Sequence, residues 1–336
     1  MSEKFRFLTA GESHGKCLTA IIDGIPSNLA VDIDFINTEL SRRQKGYGRS
    51  SRQQLEADTC EITAGVHNGK TTGAPVCVVI YNKDFSEKPP FTKYRPGHAD
   101  FAGSEKYNLS DLRDVLERSS ARKTAIETAV GAFAKLILKE LDITCCSKIL
   151  QIGNAVENFE QEIDRAKRDG NSLGGKFEVI FKNLPIGLGS YVQWDRALDG
   201  KIAKAVMSIG GIKAVEIGEN PLGKTGFEYH DQMFLQDGKI IRKTNNAGGL
   251  EGGMTNGEDL IVKAVMKPIP TMVKPLRTVD KLTLEECEAH FERSDTCAVE
   301  SCCVVAEARI ACVLADEILQ KYGGDSIEEL KRHYRE

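Results

Sequence analysis

Residues 5–22 read Phe5-Arg6-Phe7-Leu8-Thr9-Ala10-Gly11-Glu12-Ser13-His14-Gly15-Lys16-Cys17-Leu18-Thr19-Ala20-Ile21-Ile22. The apolar alternation of Phe5-Arg6-Phe7-Leu8 predicts a strand, and Cys17 to Ile22 predicts a second. Gly11 and Gly15 bracket a carboxylate, a hydroxyl and an imidazole. With no Cβ on either side, a ligand or another backbone can come close to those side chains. Imidazole is the side chain best able to exchange protons near neutral pH. Taken alone, the pentapeptide is equally well a polar turn, and what lies further along the chain decides its reading.

Further strands are predicted at Cys60 to Thr63, Val76 to Ile80, Phe177 to Phe181, Ala214 to Ile217 and Leu260 to Met266. Helical spacing marks Asp32 to Gln44, Asn158 to Asp169, Asp195 to Ile209, Thr283 to Glu292 and Val299 to Tyr322, together with a long apolar helix running from about Ser119 to Leu141. Helices interleaved with strand pairs, without strict βαβ alternation, predict an α+β fold on antiparallel sheets. No linker or composition break divides the chain, so residues 1–336 are read as one domain.

The 336 residues are 41% apolar, enough for a full core, and no apolar run approaches the ~18 residues that span a bilayer. Lys plus Arg number 45 against 49 Asp plus Glu, a net of −4, which argues against a protein that grips nucleic acid by bulk charge. The N-terminus has no basic-then-apolar signal, so a cytoplasmic location is expected. Ten cysteines without Cys-x-x-Cys or His at zinc spacing are read as reduced, buried side chains, and no metal site is expected. Gly65-x-x-x-Gly69-Lys70-Thr71 is one residue short of a phosphate loop, and Gly187-Leu188-Gly189 lacks the third glycine of a dinucleotide fingerprint.

Of six histidines, His14 and His98 stand out. The latter sits in Arg95-Pro96-Gly97-His98-Ala99-Asp100, flanked by backbone-shaping residues and an arginine. Arg42, Arg43, Arg49 and Arg52 gather around a glycine-rich turn, and Arg118-Ser119-Ser120-Ala121-Arg122 is read as a capped helix start, with Arg118 and Arg122 four apart. Most charge runs are solvated faces, but guanidinium forks and a helix N-terminus also suit a phosphate or carboxylate. Five glycines within residues 245–257 are read as a loop wrapped on a ligand.

In order, Gly-Glu-Ser-His-Gly at 11–15, Thr-Gly-Ala-Pro-Val at 72–76, Arg-Pro-Gly-His-Ala-Asp at 95–100, Arg-Ser-Ser-Ala-Arg at 118–122, Ala-Gly-Gly-Leu-Glu-Gly-Gly-Met-Thr-Asn-Gly at 247–257 and Lys-Pro-Ile-Pro-Thr at 267–271 resemble the signatures of the chorismate synthase family. The resemblance spans residues 5 to about 320. It implies helices sandwiched between antiparallel sheets, a homotetramer, reduced flavin mononucleotide (FMN) as cofactor, with NADPH as reductant in two-function members, and 5-enolpyruvylshikimate 3-phosphate as substrate. The reaction implied is a 1,4-anti elimination giving chorismate and phosphate. Neither nucleic acid nor membrane is implied as a partner.

Carried over position by position, the resemblance assigns proton transfer to His14 and His98, one toward the leaving phosphate and one toward the reduced flavin. It assigns Asp295 to the flavin's uptake of the substrate proton, with Ser13 and Ser120 in support. Flavin contacts are implied at Arg118, Ser119, Ser120, Gly210, Gly211, Gly252, Lys267, Pro268, Ile269, Pro270, Thr271 and Arg293, and substrate-anion contacts at Arg43, Arg49, Arg95 and Arg122. The chain departs from the family pattern at Ser50, Ser51 and Gln53, at Lys123, at Ser294 in place of His, and at Glu300-Ser301 in place of Pro-Arg. The rival reading is a divergent relative that binds flavin or an anionic metabolite without turnover.

Overall fold

The structure, a computed structural model, describes residues 3–49, 57–85, 88–292 and 294–336. Strands β1 (Arg6–Ala10), β2 (Cys17–Asp23), β3 (Glu61–Ala64) and β4 (Val76–Tyr81) form an antiparallel sheet in the order β1-β2-β4-β3. A second antiparallel sheet takes β5 (Thr144–Ile152), β6 (Gly175–Lys182), β7 (Ile212–Ile217) and β8 (Leu260–Met266) in the order β5-β6-β8-β7. Period-2 alternation decides which face is buried. Leu18, Ala20 and Ile22 of β2 and Val76, Val78 and Ile80 of β4 point inward and are fully buried.

Among the described residues the helices of two turns or more are α1 (Ile33–Gln44), α2 (Asp100–Tyr107), α3 (Leu112–Ser119), α4 (Thr124–Lys139), α5 (Phe159–Arg168), α6 (Leu198–Met207), α7 (Val299–Tyr322) and α8 (Ile327–Arg335). Helix α4 packs on β2 and β4 of the first sheet, and α7 on β5 and β6 of the second, while α4 and α7 lie against each other between the two. The helices are therefore sandwiched between antiparallel sheets. A helix with sheet on one side and helix on the other has no solvated face, which is why every residue from Thr124 to Leu138 is buried. The crossing is close at Gly131, where an added Cβ would lie 2.5 Å from Ala308 Cα and 2.8 Å from its carbonyl oxygen. Among the described residues no helix is long and apolar enough to cross a membrane.

The middle layer also holds charge. Lys135 of α4 is 2.5 Å from both Glu39 of α1 and Glu307 of α7, Glu307 is bridged by Arg42 at 2.8 Å, and Ser147 donates to Glu307 at 2.6 Å. Against burial, which pushes it up, Arg42 and Lys135 hold the Glu307 carboxyl at about 2.

The sequence reading is corrected in several places. The long apolar helix starts at Thr124, not at Ser119. Arg118 and Ser119 end α3, and Ser120 (ψ 145°) breaks the helical path and caps a 3-10 turn, Ala121–Lys123. Helices α2 and α3 fill a stretch to which the sequence reading gave no element. The predicted helix from Thr283 to Glu292 is half of a hairpin, with Glu286–Glu288 paired to Arg277–Val279. Asp280 Oδ1 accepts from the amides of Leu282 and Thr283, and Leu284 sits at φ 58°, so the chain turns where apolar spacing alone suggested helix. Helix α8 went unread although Ser326 and Glu329 form a capping box at its start. The glycine-rich loop is tight for an internal reason. A Cβ at Gly249 would lie 2.6 Å from the Asp259 carbonyl oxygen, so chain packs closely on chain there.

Candidate active site

A cavity of about 500 Å³ opens where the β1–β2 loop, the C-terminal end of α1, the α3–α4 junction, the α6–β7 turn and the start of α7 meet. It is lined by His14, His98 and Asp295, by Ser13, Ser119 and Ser120, by Arg43, Arg49, Arg95 and Arg122, by Gly210 and Gly211, and by Lys267, Pro268, Ile269, Pro270 and Thr271. Residues spread over more than 280 positions thus share one chamber.

Each of these two histidines is held by a carboxylate, that of His98 fully buried and that of His14 partly so. His14 Nδ1 lies 2.8 Å from Glu117 Oε1 while its own backbone N–H donates to Glu117 Oε2 at 2.7 Å. Against burial, hydrogen bonds from His14 and the charge of Arg113 hold Glu117 below the usual carboxylate range. His98 Nδ1 lies 2.8 Å from Asp100 Oδ1, and Arg95 clamps the same carboxylate through Nε and Nη2, each at 2.7 Å. Burial works against it, but Arg95 and His98 keep Asp100 at about 2, so at neutral pH it only accepts. Facing the Glu117 carboxylate, His14 Nδ1 carries a proton toward it and leaves Nε2 for chemistry in the cavity, whereas His98 Nδ1 lies between the Asp100 carboxylate and Arg95 Nη2, 2.9 Å away. Neither Glu117 nor Asp100 was singled out from the sequence. Asp100 stands two residues from His98 within a quoted motif, whereas Glu117 is 103 residues from His14 and gives no local signal.

The arginines converge around two carboxylates. Arg122 Nη1 pairs with Asp58 at 2.7 Å, Arg43 Nη1 lies 3.6 Å from the same oxygen, and Arg49 pairs with Asp295 at 2.9 Å. Three guanidiniums and two carboxylates thus meet in a buried space. Burial, with the neighbouring Arg49 and Arg122, pulls Arg43 down to about 10, still cationic at neutral pH. Arg43 Nη1 and Arg49 Nε are buried with no hydrogen-bond partner among the described residues. Buried donors of that kind call for an acceptor, and an anionic ligand would supply one.

Other residues are placed differently. Arg118 is outside the lining, since its guanidinium donates to the carbonyls of Thr9 and Gly11 at 2.9 and 3.0 Å and pins the end of β1. With the helix broken at Ser120, Arg118 and Arg122 diverge. Gly252 (φ 59°) turns the Leu250–Thr255 hairpin and is also outside the lining. Arg95 faces the cavity but commits two nitrogens to Asp100. Arg293, like Ser50, Ser51, Arg52 and Gln53, lies outside the described residues. Ser294, in the cavity wall, donates to the Thr271 carbonyl at 2.6 Å and steadies the 267–271 segment, whose Lys267 also donates to the Gly97 carbonyl of the His98 loop. Glu292, likewise unforeseen, lines the cavity at about 2 through a hydrogen bond from His290 and a 2.8 Å pair with Arg113.

A flavin fits these walls. A Cβ at Gly210 would meet nothing within 4 Å, Gly211 (φ 97°) also lacks a side chain, and Leu116, Ile209, Met266 and Val305 give an apolar surface beside the polar arginine end. The volume is in the range of cofactor sites, roughly 300–1,000 Å³.

A family model described as chorismate synthase matches residues 5–319. The chorismate synthases of Caldanaerobacter subterraneus subsp. tengcongensis and Thermoanaerobacter pseudethanolicus are 52% and 53% identical to the chain, each alignment covering 98% of it and 97% of the relative. A solved crystal structure of chorismate synthase superposes with a TM-score of 0.82 at 40% identity, covering 98% of this chain and 96% of that one.

Proposed function

Because the chain belongs to the chorismate synthase family, we propose that the cavity bearing His14 and His98 is where it carries out the family's reaction. The reaction, a carbon–oxygen lyase step toward aromatic amino acids, converts 5-enolpyruvylshikimate 3-phosphate into chorismate and phosphate. It breaks one C–H and one C–O bond and forms one C=C bond, so it needs no net oxidant. A non-catalytic relative is not favoured, given the family match and the name carried by both relatives.

The observation that carries the site assignment is the pair of carboxylate-backed imidazoles facing one arginine-lined chamber. Arg43, Arg49 and Arg122 grip the anionic substrate, and their guanidinium groups favour phosphate as it departs. An imidazolium Nε2–H neutralises the leaving phosphate oxygen, while Glu117 and Asp100 fix ring orientation and stabilise the charged rings. Asp295, held by Arg49, sits beside the same chamber as a proton acceptor, with Ser13 and Ser120, 3.2 Å apart, steadying the loop. Ser119, Ser120, Gly210, Gly211 and Lys267 to Thr271 would hold reduced FMN. Bound there, the reduced flavin would supply an electron-rich face that eases C–O cleavage and is recovered at the end. The protein acts in the cytoplasm as a homotetramer. The outer face of the first sheet, where Leu8, Ile21 and Tyr81 are 76%, 50% and 58% exposed, suits burial against another copy.

The test is anaerobic incubation with dithionite-reduced FMN and 5-enolpyruvylshikimate 3-phosphate, following chorismate and phosphate. His14→Ala and His98→Ala should each slow turnover by roughly 10²-fold or more, and an unchanged rate removes that residue from the mechanism. Running oxidised FMN with NADPH in a parallel arm shows whether the chain reduces its own flavin.

A further inference from the structure

Asn82 follows β4 directly, is 4% exposed and lies outside the cavity lining. Its backbone N–H donates to the Lys16 carbonyl at 3.0 Å. Its side-chain NH₂ donates to the carbonyls of Gly15 at 2.7 Å and Glu12 at 3.2 Å, with the Ser13 carbonyl at 3.5 Å, and its Oδ1 accepts from Arg122 Nε at 2.9 Å. One planar amide thereby joins the loop that presents His14 to an arginine of the anion end. A carboxylate has no donor for the loop carbonyls and an aliphatic side chain serves neither end, so an amide is the group this position calls for.

Other ties reach the loop from the α3 side, where Arg118 donates to the Gly11 carbonyl at 3.0 Å and Ser120 Oγ to Ser13 Oγ at 3.2 Å. Ser13 N–H donates to the Glu117 carbonyl at 2.9 Å and His14 is held by the Glu117 side chain, both from the α3 side, and Gly15 N–H closes on Glu12 at 3.3 Å. Asn82 is the tie from the sheet side. Arg122 is likewise held from two directions, by Asp58 and by Asn82. We propose that Asn82 is a positioning residue, fixing the His14 loop and the Arg122 guanidinium relative to each other so that proton donor and anion grip meet the same substrate. This rests on the roles given above to His14 and Arg122.

Two variants divide the function. Asn82→Asp keeps the acceptor for Arg122 and loses the donors for the loop; Asn82→Ala loses both. With wild type turning over, each should lower kcat by roughly 10²-fold, the cost of misplacing a reacting group by about 1 Å, and KM should rise more in Asn82→Ala than in Asn82→Asp. In a His14→Ala background, Asn82→Asp should change kcat by less than about threefold, because it keeps the acceptor for Arg122 and the ring it would otherwise misplace is gone. Losses that multiply in the double variant overturn the proposal. A readout independent of turnover is the ¹³C ring resonance of His14, assigned with His14→Gln. It should move in Asn82→Asp while those of His230 and His333 stay. An unmoved His14 resonance in folded Asn82→Asp overturns the proposal, and so does an Asn82→Asp chain that fails to fold, which would give the amide a role in stability alone. If wild type forms neither chorismate nor phosphate, the assigned function falls, while the resonance still reads whether Asn82 holds His14.

Discussion

Gly131→Ala should destabilise this protein although alanine is the better helix former. In a mid-helix position with open surroundings the exchange would stabilise by up to about 1 kcal/mol. Here the new methyl would lie 2.5 Å from Ala308 Cα and nearer still to its Cβ, where carbon contacts normally settle near about 3.6 Å, so α4 and α7 must part by more than about 1 Å. Overpacking of this kind costs roughly 1–3 kcal/mol, which outweighs the propensity gain. With an unfolding entropy of about 2.1 cal/mol/K per residue, each kcal/mol is worth about 1.4 °C in a chain of this length. Thermal unfolding should therefore show a Tm lowered by a few degrees. Ala308→Gly should rescue only in part, since the clash includes the Ala308 backbone. Turnover should fall as well, because Thr124 at the start of α4 and Ala298, Ser301 and Cys302 at the start of α7 line the cavity. A Tm that rises in Gly131→Ala would refute the close crossing and the reasoning built on it.

Asp100→Asn leaves Arg95 buried without a charge partner and His98 without its anionic acceptor; kcat should fall roughly 10²-fold, with Glu117→Gln having a similar effect through His14, both read by chorismate formation. Glu307 and Asp100 have folded-state pKa values below their unfolded ones, so their stabilisation is complete above the unfolded values and lost as pH falls through about 2. Urea midpoints should be flat from pH 7 to 5 and drop between about 4.5 and 2, and Glu307→Gln should blunt the drop. Burial pushes the Cys60, Cys302 and Cys312 thiols up to about 12, whereas Cys146 is exposed. Native alkylation at pH 8 followed by mass spectrometry should modify Cys146 first and leave those three untouched until denaturant is added.

The sandwich was legible because its elements announce themselves locally. Val299–Tyr322 carries an apolar period over six turns, and Val76–Tyr81 is a short apolar run rich in β-branched residues. Errors arose where a long-range partner outweighs local pattern, as in Glu286–Glu288, whose periodicity fits a helix but whose backbone pairs with Arg277–Val279. The two imidazoles were legible from their flanking glycines and arginine. Their supports were not: the ties from Glu117 to His14 and from Asn82 to Gly15 cross 103 and 67 positions, and no spacing rule reaches that far. Arg118 and Arg122 show the reverse case, a helical i,i+4 pair on paper that the bend at Ser120 sends to opposite tasks.

The ion cluster of Glu39, Arg42, Lys135 and Glu307 gives the middle layer a registration mark that hydrocarbon packing lacks. Greasy helices can slide past one another by a turn at modest loss, but here a slip of about 5.4 Å would strand a lysine and two carboxylates away from both water and each other. The three helices that carry it also bear Arg43, Thr124 and Ser301 toward the chamber, so the same lock that aligns the layer sets where the cavity walls stand.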